Sequence, residues 1–134
     1  MARPTTALIA DDESHVRAFL RLLLREVGIS SCLEAADGPS VIALVQEHQP
    51  ELVLLDINMP LLNGLEVLAK LRALNLDVPV VMVTSQSAIS SVTEAVRLGA
   101  SGYLLKHIPK DEALAALRNV LDGLSGDDAA DSTD

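Results

Sequence analysis

Cysteine is almost absent from this chain. Cys32 stands alone, which excludes an internal disulfide and fits a reducing compartment. Its place in an apolar segment marks it as a core thiol and not a nucleophile. Long hydrophobic runs are missing too, with no stretch near the ~20 apolar residues that a membrane-spanning helix needs. The first residues hold one arginine and a short apolar run that closes on two aspartates, unlike a secretory signal. Basic charge is scarce: ten Lys and Arg face nineteen Asp and Glu, a net charge of −9. No basic stripe of the kind nucleic-acid binders carry is visible. Direct nucleic-acid binding and membrane association are not expected, and a cytoplasmic location is. The acid excess is uneven, since Asp127, Asp128, Asp131 and Asp134 all fall in the last eight residues, and the body without them carries −5.

What the chain does have is apolar content in short pieces. Hydrophobic residues make up 49% of it, enough for one real core in a 14.2 kDa domain. Short β-type runs near residues 5–10, 31–35, 51–55, 79–83 and 102–105 alternate with amphipathic stretches that begin near residues 14, 39, 64, 87 and 109. That alternation predicts an α/β fold, a doubly wound sheet of five parallel strands with five helices. Near-continuous apolar strands suit burial on both faces. Val16, Phe19, Leu20, Leu23 and Val27 stripe the first helix, with Gly28 placed to cap its C-terminus, and Leu114, Leu117, Val120, Leu121 and Leu124 stripe the last. The domain is expected to span residues 1–126, followed by a disordered acidic tail at 127–134.

Four of the apolar runs end on reactive polar residues. Ala7–Ala10 runs into Asp11 and Asp12, Leu52–Leu55 into Asp56, Val80–Val83 into Thr84, and Tyr103–Leu105 into Lys106. Chemistry in an open parallel sheet sits outside the carboxyl ends of its strands, so these groups are expected to converge at one edge. Carboxylates at close range repel and need a cation or a shared proton. Oxygen-only ligands favour a hard ion, Mg²⁺ in preference to Ca²⁺, with Mn²⁺ able to substitute, and no His or Cys spacing suits zinc. Asp11 or Asp12 as a simple helix cap leaves Asp56 and Lys106 unexplained. An ammonium, a divalent ion and a hydroxyl around a carboxylate also match the needs of a transferring phosphoryl group. Asp56, after the central and most apolar run, is the natural nucleophile.

The ordered set resembles the receiver domain of two-component response regulators over nearly the whole chain. The phosphoacceptor segment reads Leu54-Leu55-Asp56-Ile57-Asn58-Met59-Pro60, followed by Asn63-Gly64, and the spacing to Thr84 and Lys106 is the family's. The resemblance implies a flavodoxin-like receiver fold in which Asp56 accepts a phosphoryl group from a histidine kinase or phosphotransfer protein. It implies Mg²⁺ held by Asp12, Asp56 and the Asn58 carbonyl, with Asp11 acting through water. Lys106 would neutralise phosphoryl oxygens, Thr84 would donate its hydroxyl, and Tyr103 would turn with it as a switch. Asn58 and Gln86 would border the phosphoryl group and tune its lifetime; otherwise they are solvated loop residues. The message would leave through the fourth helix, fifth strand and fifth helix, to a protein target or a second copy of the chain.

The chain departs from the family pattern in three places, the mildest being Ser85 where alanine is frequent, which is tolerated. Many members have proline directly after the lysine, joined by a cis bond, whereas this chain reads Lys106-His107-Ile108-Pro109. A non-proline cis bond costs ~2.5–4 kcal/mol, so none is assumed. The stretch Leu98–Lys106 resembles receivers that precede a helix-turn-helix output domain, and the sequence contains no such domain, so a stand-alone regulator is expected. Turnover of an external substrate is not expected, since no lid or pocket insertion is visible. A phosphorylation-independent adaptor conflicts with the intact polar set, and a nucleotide or flavin binder lacks a Gly-rich loop after the first strand. His15, His48 and His107 read as solvated or loop residues.

Overall fold

Aliphatic runs too short for helices, each followed by a turn and an amphipathic stretch, produce five β-α units in the computed structural model. It describes residues 4–85 and 90–133, with side chains through Leu124. The strands are β1 (Thr6–Ala10), β2 (Ser31–Ala35), β3 (Val53–Asp56), β4 (Val80–Thr84) and β5 (Gly102–Leu105). The helices are α1 (Ser14–Glu26), α2 (Gly38–His48), α3 (Gly64–Ala73), α4 (Ser91–Arg97) and α5 (Lys110–Thr133). All pairings are parallel and the order is β2-β1-β3-β4-β5. This is the doubly wound sheet the alternation predicts.

Side chains alternate across the sheet and divide the core in two. Ile9, Leu54, Val81 and Val83 pack with Leu20, Leu23 and Leu24 of α1 and Leu117 and Leu121 of α5. Leu8, Val53, Leu55 and Met82 pack with Val41 and Val45 of α2, Leu68 and Leu71 of α3, and Ala95 of α4. With both faces covered, the ends of the strands are where polar chemistry can sit.

Local signals fix the helix boundaries. The Asp37 carboxylate accepts the Ser40 N–H at the start of α2, and Asn63 and Glu66 form a reciprocal capping box on α3. Gly28 ends α1 with φ +94°, the left-handed conformation glycine adopts without strain. The fourth helix, expected from about residue 87, is described from Ser91, and residues 86–89 lie outside the described residues. Helix α5 continues to Thr133, through the acidic segment predicted as a tail.

Gly64 couples α3 to the strand end before it. A Cβ there would lie 2.3 Å from the Asp56 carbonyl oxygen and 2.9 Å from the Ile57 Cα, both backbone atoms that cannot swing aside. Gly64→Ala is expected to cost about 2–3 kcal/mol through this overlap, measured by urea denaturation; stability within 0.5 kcal/mol of wild type, an ordinary surface effect, would refute it.

Candidate functional site

The register places the polar residues side by side. Ala10 lies opposite Leu55, so Asp11 and Asp56 leave neighbouring strands at the same level. Thr84 pairs with Leu105 one strand further on, and the Lys106 N–H donates to the Thr84 carbonyl at 2.7 Å. The sheet thereby gathers residues from four strand ends at the carboxyl edge, beside the β1/β3 switch point where the connections reverse.

One carboxylate oxygen each from Asp11, Asp12 and Asp56 lie within 4.8 Å of one another. Asp11 and Asp56 are buried and Asp12 is exposed. The Lys106 ammonium stands 2.8 Å from Asp11 Oδ2 and 3.1 Å from Asp56 Oδ2, with Glu13 Oε1 at 3.7 Å. Both Oδ2 atoms are buried without a directional hydrogen bond, so the ammonium serves them by charge. One ammonium among three clustered carboxylates leaves the cluster anionic. Hard oxygen donors, two buried oxygens in need of a partner and an excess of negative charge fit a divalent Mg²⁺.

Electrostatics follow from that crowding. Burial first, and the Asp11 charge second, push the Asp56 carboxyl up to about 6, against the opposing pull of Lys106 and of the Asn58 N–H. Burial pulls the Lys106 ammonium down, but the Asp11 and Asp56 carboxylates beside it outweigh that and raise it overall. The lysine therefore stays charged at neutral pH.

The remaining predicted residues differ in placement. Thr84 is buried, and its hydroxyl donates to the Ser85 carbonyl at 3.1 Å. Asn58 is exposed, and its backbone N–H donates to Asp56 Oδ1 at 3.2 Å. Tyr103 on β5 is 41% exposed, so its ring faces outward in this state. Gln86 lies outside the described residues. The peptide after Lys106 is trans, with no cis bond among the described residues, and His107 takes φ +61°. Cys32 is half-buried, and burial pushes its thiol up, in keeping with an unreactive thiol.

Three residues at or around the site were not singled out from the sequence. Glu13 follows the acidic pair and reaches toward Lys106. Arg17 on α1 and Glu34 on β2 pair at 2.8 Å across the sheet edge, a long-range contact with no periodic signature. An apolar groove of about 260 Å³ also opens beside Lys106, lined by Val16, Phe19, Leu20 and Ile108 among others.

The carboxyl-edge acids, the lysine and the sheet order define a receiver. The chain belongs to the response regulator receiver domain family, whose model matches residues 7–118, and it is thus a receiver domain of two-component systems. It is 36% identical over 129 residues to the response regulator MprA of Mycobacterium sp. strain KMS, covering 96% of this chain and 56% of that protein. It is 36% identical over 121 residues to the nitrate/nitrite response regulator protein NarL of Escherichia coli strain K12, covering 90% of this chain and 56% of that one. The chemotaxis response regulator CheY4 of Vibrio cholerae superposes with a TM-score of 0.77 at 27% identity, covering 88% of this chain and 99% of the other. The chain spans a little over half the length of the curated relatives it matches. Among the described residues no helix is long and apolar enough to cross a membrane.

Proposed function

We propose that this chain is a cytoplasmic response-regulator receiver that accepts a phosphoryl group on Asp56 from a histidine kinase or phosphotransfer protein. The observation that carries the reading is the buried Asp56 carboxylate at the end of β3 with the Lys106 ammonium 3.1 Å away. An Asp56 oxygen attacks phosphorus as the donor's P–N bond breaks, and the donor's imidazole departs with the bonding pair. Hydrolysis reverses the state: water attacks phosphorus, the Asp56–phosphorus bond breaks, and inorganic phosphate leaves. Asp11, Asp12, Asp56 and the Asn58 carbonyl would hold Mg²⁺, with Mn²⁺ able to replace it. When bound, the ion supplies positive charge against the phosphoryl oxygens. Lys106 would offset the remaining charge.

Thr84 must release the Ser85 carbonyl to donate to a phosphoryl oxygen. Its movement opens room for the outward Tyr103 ring to turn in, which biases the face made by α4, β5 and α5. Val96 on α4 is exposed there together with Tyr103, apolar surface suited to a protein target or a second copy. The apolar groove beside Lys106 offers a seat for side chains of the phosphodonor. No external substrate is turned over, and no nucleic acid is bound directly.

Intact mass after incubation with Mg²⁺ and acetyl phosphate tests the reading. One added phosphoryl group is expected on wild type, none on Asp56→Ala, and none in EDTA. Adduct formation on Asp56→Ala, or failure of wild type both to form an adduct and to bind beryllofluoride, would sink it. Asn58 and Gln86 are proposed to tune the lifetime by orienting or blocking the attacking water. Asn58→Ala and Gln86→Ala are each expected to change the first-order loss of the phosphoryl group, and unchanged decay in both rejects that role.

A further inference from the structure

Asp11 is hydrogen-bonded at its N–H, its carbonyl and its Oδ1, and one of those bonds comes from an unassigned residue. Its N–H donates to the Ala35 carbonyl at 3.1 Å, its Oδ1 accepts the Glu13 N–H at 2.9 Å, and its Oδ2 faces Lys106. Its carbonyl oxygen accepts Arg17 Nη1 at 2.7 Å. Arg17 is itself anchored, since its Nε donates to Glu34 Oε1 at 2.8 Å. The other Glu34 oxygen accepts from Arg21 Nε at 3.0 Å and from Arg21 Nη2. Glu34 sits on β2 and Arg17 on α1, so the fork ties the turn that carries Asp11 and Asp12 to the strand on one side and the helix on the other.

We propose that Arg17 is a positioning residue for the acidic pair, clamped by Glu34, and that this clamp sets the affinity of the site for a divalent cation. The inference rests on the Mg²⁺ reading of the same site. Its physical basis is the guanidinium shape: a planar fork serves two acceptors in fixed directions, while a lysine ammonium on a flexible stem cannot reproduce that bridge. With the carbonyl released, the Asp11-Asp12 turn gains backbone freedom, and gathering its carboxylates around a cation costs more entropy. Groups that orient metal ligands without touching the ion commonly control affinity by an order of magnitude or more. Arg21 shares Glu34 but makes no bond to Asp11, which makes it the internal control.

Isothermal titration of Mg²⁺ alone into wild type, Arg17→Lys, Arg17→Ala, Glu34→Ala and Arg21→Ala tests the clamp. About a 5–10-fold rise in Kd is expected for both Arg17 variants, a smaller rise for Glu34→Ala, and less than twofold for Arg21→Ala. The Arg17→Ala/Glu34→Ala pair is expected to bind no worse than Arg17→Ala, because the two act as one unit. Should Arg17→Ala not fold, Arg17→Lys and Glu34→Ala carry the comparison. Mg²⁺ binding by Arg17→Lys within twofold of wild type overturns the clamp, as does equal weakening by Arg21→Ala, which would mark general loosening of the edge. Wild type that binds no Mg²⁺ overturns the metal reading itself, and the clamp with it.

Discussion

Asp56→Asn is expected to make the metal-free protein more stable while it abolishes phosphorylation. The carboxylate is 1% exposed, and burial together with the Asp11 charge raises its proton affinity to about 6 from the ordinary 3.8. A raised carboxyl in the folded state means that the native protein binds more protons than the unfolded chain between about pH 4 and 6. Stability from this group therefore falls as pH rises through that window, and above it the ionised side chain is a net cost. Scaled at ~1.4 kcal/mol per unit, the cost is about 2–3 kcal/mol at pH 7. Asparagine keeps the Oδ1 acceptor for the Asn58 N–H and removes the charge. In EDTA its advantage over wild type should be near zero at pH 4 and full above pH 7, a gain on the order of 6–12 °C in Tm for a domain of this size. Added Mg²⁺ should narrow the gap by stabilising wild type alone. Denaturation of both proteins across pH decides it, and a variant less stable than wild type at pH 7 in EDTA would show that the carboxylate is not under repulsion.

The opposite sign is expected for Lys106→Met. The ammonium is the cation that faces both buried Oδ2 atoms, and its side chain is only 9% exposed. Methionine preserves volume but leaves two buried carboxylates side by side without a counter-charge. Removing one partner of a buried ion pair typically costs ~3–5 kcal/mol, and two acids share this one base. The loss should be largest in EDTA at neutral pH. It should shrink on acidification, because the Asp56 carboxyl then takes up a proton, and also on addition of Mg²⁺. The double variant Asp56→Asn/Lys106→Met should regain much of the loss, a coupling that a double-mutant cycle measures directly. Equal losses in EDTA and in excess Mg²⁺ would instead assign Lys106 a packing role.

The family and its fold were legible because the signal is local and ordered. Apolar runs of four or five residues separated by amphipathic stretches admit few architectures once both strand faces must be covered, and Asp11, Asp12, Asp56, Thr84 and Lys106 each terminate such a run. The boundaries were less legible. Helix α5 spans Lys110–Thr133, and beyond Leu124 no apolar stripe marks where it ends. The exposures of Val96 and Leu98 were equally hidden: Val96 on α4 faces solvent while Leu98, just past its end, packs against the core, and a seven-residue helix carries too little periodicity to tell them apart.

Contiguous residues dictate which chemical groups are available and at which strand ends they stand, since strand length and turn chemistry are local properties. How those groups meet follows from the folded chain. Parallel register places Asp11 level with Asp56, crossover returns bring Lys106 within 3.1 Å of Asp56, and Arg17 of α1 reaches both Glu34 of β2 and the Asp11 carbonyl. Those relations join residues many positions apart. Their energies, a proton affinity moved by burial and a carbonyl fixed by a guanidinium, arise only when water is excluded and distant charges share one edge of the sheet.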